Sequence, residues 1–150
     1  MNATVITIRL MKAGDFEAVL AIDEKVLRAS RPEYYKLKFE KLFGSNDYLP
    51  TSLVAEDGDG VVVGFVMGEL YMGEFGIFHE EARLDTIGVD PDHQHQGIGE
   101  KLINEFMDHL RQIGVHKVNT LVAWNDPRLI HFFSANRFSP SRTINLERQL

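Results

Sequence analysis

Cysteine is absent from this sequence, and its absence excludes several kinds of chemistry at once. Without thiols the chain can form neither a disulfide framework nor a thiolate zinc site, and it has no cysteine nucleophile. Any reaction that the chain catalyses must therefore use oxygen groups, nitrogen groups or a bound cofactor.

Long apolar runs and an excess of basic residues are missing as well. No hydrophobic segment approaches the length that crosses a bilayer, and the first residues lack the basic and apolar regions of a signal peptide. With 22 acidic against 16 basic residues, the net charge of −6 disfavours binding to a phosphate backbone. We therefore expect a cytoplasmic protein that binds neither membranes nor nucleic acid.

The remaining composition is that of an ordinary globular domain. The chain has 150 residues, of which 44% are hydrophobic, and this is enough to bury a core without covalent staples. No linker, repeat or low-complexity segment divides it, so we predict a single domain over residues 1–150.

Hydrophobic periodicity and turn residues predict mixed α and β structure around one sheet. The predicted elements are, in order, a strand at 5–10, helices at 16–27 and 33–43, a hairpin of 52–56 and 61–67, a strand at 82–89, a helix from 98 to a glycine cap at 114, a strand at 118–123, a helix at 126–135 and a last strand within 142–150.

One segment has the layout of an anion-binding site. The strand that ends at Val89 runs through Asp90-Pro91 into a loop of glutamine and glycine, which leads directly into the amphipathic helix at Ile98. The amides of a first helical turn lack partners and lie at the positive end of the helix dipole, so they suit a pyrophosphate. Gly97 and Gly99 would let such a ligand approach the backbone closely.

Three phosphate-loop patterns compete for this segment. A dinucleotide fingerprint needs a third glycine where this chain has Leu102, and a Walker loop needs Gly-Lys-Ser/Thr, which the sequence does not contain. The third pattern fits, because Gln94-His95-Gln96-Gly97-Ile98-Gly99 resembles, position for position, the acetyl-CoA loop of the GNAT superfamily of N-acetyltransferases. The plain alternative is a helix capped by a glycine-containing turn that binds nothing.

The resemblance to the GNAT superfamily extends beyond the loop. It includes the Val-Asp-Pro exit of the preceding strand and the later segment 132–138, so it covers the second half of the chain well and the first half by element order. It implies the GNAT acyl-CoA N-acyltransferase fold of the α+β (mixed α/β) class. That fold has one central mixed, mostly antiparallel sheet of six to seven strands and about four helices.

The resemblance also implies where acetyl-CoA would lie, with no metal ion involved. In this family the strand before the loop separates from its neighbour, and its exposed backbone, here Ile87, Gly88 and Val89, holds the pantetheine arm like an added strand. Asn125 or Asp126 would contact the cofactor from the mouth of the last helix. The loop residues that would hold the pyrophosphate are Gln94, His95, Gln96, Gly97, Ile98, Gly99 and Glu100.

Transfer of an acetyl group to an amine requires a neutral nucleophile, whereas a lysine-like amine with a pKa of about 10.4 is almost wholly charged at pH 7. The resemblance offers Asp85 as the candidate general base, at a position where many relatives carry a glutamate. The alternative is that Asp85 is a solvated or ion-paired strand residue. Leu121 falls where other relatives carry a second base, so that option is closed.

The acid that assists the departing thiolate is missing from its usual position. Relatives often carry a tyrosine in the last helix where this chain has Phe133, which would instead form a wall beside the cofactor or belong to the core. Tyr71, Tyr48 or a water could replace the tyrosine. His93 and His95 lie near acidic residues, but the loop pattern accounts for them and we expect no metal site.

Two functions stay open. The first is an N-acetyltransferase that moves acetyl from acetyl-CoA to a primary amine by direct transfer in a ternary complex. The second is a catalytically silent CoA-binding sensor or interaction module, which Phe133 and Leu121 suggest.

The acceptor is a protein N-terminus, a lysine side chain or a small-molecule amine. Residues 28–47 and 139–142 would shape its pocket. Trp124, Asn125 and the Tyr34-Tyr35 pair would line that pocket or pack in the core, and a homodimer is compatible with the fold.

Overall fold

A computed structural model describes residues 5–44, 51–72 and 80–150. The chain forms two compact units, Met1–Thr120 and Leu121–Leu150, and each is described by itself. The elements are β1 (Thr7–Leu10), α1 (Phe16–Leu27), α2 (Pro32–Phe43), β2 (Leu53–Glu56), β3 (Val62–Met72), β4 (Glu80–Val89), α3 (Ile98–Gln112), β5 (Lys117–Asn119) and α4 (Pro127–Ala135).

Within the described residues, the strands form one mixed sheet in the order β1-β2-β3-β4-β5. The first three pairings are antiparallel, and β5 lies parallel to β4. The predicted β2–β3 hairpin is confirmed, and its turn is held by the Asp57 carboxylate, which accepts from the amides of Asp59 and Val61. The predicted α+β class is therefore confirmed.

The two faces of the sheet are covered by different helices, as the alternation of side chains along β3 shows. Phe65 and Met67 pack with residues of α1 and α2, including Val19, Tyr35 and Phe39. On the opposite face α3 buries five apolar residues, namely Ile98, Leu102, Ile103, Phe106 and Leu110. The sheet therefore has α1 and α2 on one side and α3 on the other.

The prediction of a last strand within residues 142–150 is wrong. Residues 142–150 contain no strand, and Ile144 and Leu146 are 84% and 83% exposed. The alternation of apolar and polar residues here satisfies the local pattern of a strand, but a strand forms only where a neighbour supplies hydrogen bonds and packing. For the same reason β5 ends at Asn119, short of the predicted residue 123. The sheet of the described residues accordingly has five strands rather than six or seven.

None of the helices in the described residues is long and apolar enough to cross a membrane. The longest is α3, with 15 residues, and one whole side of it is charged.

Gly68 of β3 lies directly against α3. A Cβ atom at this position would lie 2.5 Å from Cζ of Phe106, whose ring is completely buried. That distance is shorter than any unstrained contact, and a packed aromatic ring has no room to withdraw. Gly68 is therefore required by packing.

We predict that Gly68→Ala lowers the free energy of unfolding by about 1–3 kcal/mol, the usual cost of overpacking a core. Gly58→Ala is the matched control, because a Cβ at Gly58 would meet nothing within 4 Å. Urea denaturation of the two variants measures the difference. Equal stability of both variants would show that Phe106 does not press on Gly68.

Candidate active site

The two parallel strands β4 and β5 separate after three residue pairs. β5 pairs only with Glu81, Ala82 and Arg83, after which the hydroxyl of Thr120 donates to the carbonyl of Leu84 at 2.9 Å. From residue 86 to residue 89, β4 pairs with β3 on one side and with no described strand on the other. The backbone of Ile87, Gly88 and Val89 therefore has an edge without a neighbouring strand, to which an extended ligand could add. The carbonyl of Val89 accepts from the side chain of Gln94 at 3.3 Å.

The loop after β4 is fixed by Asp90. One oxygen of its carboxylate accepts from the amide of Asp92 at 3.0 Å, and the other lies 3.0 Å from Nζ of Lys25 on α1. Burial acts to raise the pKa of Asp90, but the amide of Asp92 and the ammonium of Lys25 outweigh it and lower the pKa below its ordinary value. The loop thus starts from a charged anchor that joins it to α1.

The loop enters α3 through two residues with left-handed backbone. His95 has φ 66° and Gly97, the N-cap of α3, has φ 75°. The first bond of the helix runs from the amide of Lys101 to the carbonyl of Gly97 at 3.0 Å, so the amides of Ile98 to Glu100 precede it. These amides have no acceptor among the described residues, and a Cβ at Gly97 would meet nothing within 4 Å. The first turn of α3 therefore has free N–H groups next to the open space at Gly97.

Asp85 lies in a β-bulge of β4. Met67 of β3 pairs with Thr86 and Gly68 pairs with Leu84, so Asp85 has no partner residue across the strands. Neighbouring side chains of a regular strand point to opposite faces, but the extra residue of a bulge changes this alternation. The side chains of Asp85 and Thr86 both contact α2 as a result.

The Asp85 carboxylate is ion-paired with Lys38 of α2. The Nζ atom of Lys38 lies 2.9 Å from Oδ2 of Asp85, and the side chain of Asp85 is only 11% exposed. The sequence alone did not indicate Lys38. A signal was available in its spacing, because Lys38 follows Tyr34 by four residues and so shares its helix face. Burial raises the pKa of the Tyr34 phenol beside this pair.

A buried network next to Asp85 joins α1, α2 and β4. The hydroxyl of Tyr35 donates to Asp23 at 2.6 Å and lies 3.3 Å from the hydroxyl of Thr86, while Arg31 contacts both oxygens of Asp23 at 2.7 and 3.0 Å. Burial, followed by the bond to Asp23, raises the pKa of Tyr35 far above its ordinary value. Tyr35 is therefore a core residue, the second of the two roles that the sequence left open for it.

Tyr71, one of the substitutes suggested for the missing acid, is engaged elsewhere. Its hydroxyl donates to Glu81 at 2.7 Å and accepts from Asn119, at the end of the sheet where β4 and β5 are still paired. Burial and the bond to Glu81 raise its pKa. Tyr48, the other substitute, lies outside the described residues.

The second unit contains the remaining predicted cofactor contacts. Asp126 is the N-cap of α4, as the sequence predicted, and its carboxylate accepts from the amide of Leu129 at 3.1 Å. Phe133 is 4% exposed and packs edge-on against Phe132 and Phe138. Asn125 is exposed. Within this unit Phe133 therefore belongs to an aromatic core.

Leu121 and Trp124, at the start of the second unit, are exposed. Their relative exposures are 68% and 88%. Leu121 stands where some relatives carry a second base. It lies after the end of β5, so no strand fixes the direction of its side chain. In the described part of the chain, no group of three or more histidine, aspartate or glutamate side chains is placed to hold a metal ion.

Comparison with known families agrees with this arrangement. The model of the acetyltransferase (GNAT) family matches residues 16–137, which is most of the chain. The chain belongs to the GNAT family of acetyltransferases.

The chain also resembles individual members of known sequence. A mycothiol acetyltransferase from Propionibacterium freudenreichii subsp. shermanii is 31% identical over 87 residues, which are 58% of this chain and 27% of that protein. The chain thus spans about a quarter of the length of this curated relative.

Solved structures share the fold. The aminoglycoside N-acetyltransferase AAC(6')-Iy, solved in complex with CoA, aligns with a TM-score of 0.80 and 17% identity over 99% of this chain and 97% of its own. Ard1 from Thermoplasma volcanium aligns with a TM-score of 0.73 and 23% identity over 91% and 84%. At these identities the likeness establishes the fold alone.

We predict that Gly97→Val weakens acetyl-CoA binding at least tenfold. A β-branched residue is strained at φ 75°, and its side chain would fill the open space before the free amides. Gly60→Val is the matched control, since Gly60 also has a left-handed backbone, with φ 79°, and faces open space but lies in the hairpin. Calorimetric titration of both variants gives the affinities. Unchanged affinity in Gly97→Val would remove the loop from the cofactor site.

Proposed function

We propose that this protein is an N-acetyltransferase that transfers the acetyl group of acetyl-CoA to a primary amine by direct attack in a ternary complex. The observation that carries the proposal is the separation of β4 from β5, immediately followed by a loop of free amides. The open strand edge suits the pantetheine arm of CoA, and the anion site that follows it along the chain suits the pyrophosphate.

The residues of the chain fit acetyl-CoA as follows. The backbone of Ile87, Gly88 and Val89 would hold the pantetheine arm, and the loop from Gln94 to Glu100 would hold the pyrophosphate. Asn125, Asp126 and Phe133 stay predicted cofactor contacts from the second unit. When bound, acetyl-CoA supplies an activated thioester.

Direct transfer agrees with the composition of the chain. An acyl-enzyme route needs an activated nucleophile, and no cysteine exists to supply the usual one. Direct attack needs only that the amine be held beside the thioester and lose its proton. The acceptor amine would form the N–C bond, the C–S bond would break, and the thiolate would leave with the coenzyme.

Asp85 is the proposed general base. It lies two residues before the open edge at Ile87, and its contact with Lys38 supports the idea that its carboxylate can bind an ammonium group. Tyr71 is engaged with Glu81, and Phe133 has no proton to give. A thiol with a pKa of about 8.5 leaves readily as the thiolate, so the reaction does not need a dedicated acid.

The family match supports one catalytic domain, because residues 16–137 extend across both units. The identity of the acceptor amine stays open among protein N-termini, lysine side chains and small amines. A homodimer and a cytoplasmic location also stay predictions.

A silent CoA-binding module is the second candidate. Two observations favour it, namely the ion pair that already occupies Asp85 and the burial of Phe133 where relatives have tyrosine. The two functions differ in turnover. A silent module would bind acetyl-CoA without releasing free thiol in the presence of any amine.

We predict that Asp85→Asn lowers kcat roughly a hundredfold at neutral pH, since general-base catalysis contributes about 10²–10⁴. The affinity for acetyl-CoA should stay the same because Asp85 precedes the open edge. The assay follows free thiol across a panel of primary amines, with the exposed hairpin residue Asp59→Asn as the matched control. Thiol release that is unaffected by Asp85→Asn at every pH would exclude Asp85 as the base.

A further inference from the structure

The Asp85 carboxylate is surrounded by charged and titratable groups from two elements. From α2 come Lys38, with Nζ at 2.9 Å from Oδ2, then the phenol of Tyr34, and more distantly the ammonium of Lys41. From β3 comes Glu69, whose carboxylate lies 3.9 Å from Nζ of Lys38. Lys38 is therefore the cation nearest to Asp85 in the described part of the chain.

Lys38 is held in place more firmly than an ordinary surface lysine. Its Nζ contacts two carboxylates and lies 5.5 Å from the centroid of the Tyr34 ring, with 22% of the side chain exposed. Lys41, one turn along the same helix, is 72% exposed, and its ion pair among the described residues is with Glu69 at 2.6 Å. Water therefore screens the charge of Lys41 strongly and the charge of Lys38 much less.

The ion pair leaves half of the Asp85 carboxylate available. Lys38 contacts Oδ2, whereas Oδ1 accepts no hydrogen bond from the described residues. A carboxylate held by one oxygen keeps its other oxygen in a fixed direction. That is the geometry required of a base that receives a proton from an amine.

We propose that Lys38 is a positioning residue of the reaction, which holds the Asp85 carboxylate in one orientation with its free oxygen available to the acceptor amine. This inference rests on the proposed function of Asp85 as the base. The proton of the acceptor amine goes to that free oxygen of Asp85.

The expected effect follows from the contact between the two side chains. Without the Lys38 ammonium, the Asp85 carboxylate is free to take other orientations, and its free oxygen meets the bound amine less often. Misplacement of a catalytic group lowers the rate of the chemical step. A guanidinium at position 38 can keep the contact, because it carries the same charge.

The test compares kcat and the KM for acetyl-CoA in four variants. Lys38→Met and Lys38→Gln remove the charge and keep the length, Lys38→Arg keeps the charge, and Lys41→Met is the matched control on the same helix. We expect kcat to fall about tenfold in the two neutral variants, with the KM for acetyl-CoA unchanged. Lys38→Arg should restore most of the rate, and Lys41→Met should follow the wild type.

A double variant separates positioning from a general structural effect. Lys38→Met should lower kcat no further in the Asp85→Asn background, because the side chain that it positions is already lost. An unchanged kcat in Lys38→Met, an equal fall in Lys41→Met, or an additive fall in the double variant would overturn the inference. Failure of the proposed function is distinguishable, because the wild type itself would then release no thiol with any amine.

Discussion

The parting of β4 from β5 is the constraint on which the site depends. The strands stay joined through three pairs, fixed at their closed end by the cluster of Glu81, Tyr71 and Asn119, and then β4 continues beside β3 alone. The bulge at Asp85 coincides with the start of this open edge. One strand therefore supplies a free backbone for a ligand and a carboxylate that faces α2, and it delivers the chain to the loop that opens α3.

The parts of the fold that the sequence predicts are those specified by local signals. The start of α3 at Ile98, the start of α4 after Asp126 and the hairpin turn around Asp57 each depend on residues close in sequence, and each lies where the pattern placed it. The ion pair of Lys38 with Asp85 joins residues 47 positions apart through a bulge, and the helical spacing that places Lys38 on the same face as Tyr34 does not identify its partner. The prediction of a strand within residues 142–150 is wrong for a related reason. The alternating pattern is local, whereas the neighbouring strand that it would need is distant in sequence.

The two ends of the candidate site differ in the charge that they present to a ligand. At the loop, unpaired amides offer a positive field to a phosphate, while Lys25 neutralises Asp90 beneath them. At the bulge, a carboxylate and an ammonium are held together with limited access to water. A thioester ligand that spanned the open edge would have its anionic part at the first end and its reactive part near the second.

The most direct test of this account is amide hydrogen exchange with and without acetyl-CoA. Ile87 to Val89 and the loop from His95 to Glu100 should exchange more slowly with the ligand present, because both sets of amides are predicted to lie against it. The edge strand β1 should exchange at the same rate in both conditions. Protection of β1 without protection of the loop and the open edge would contradict the account.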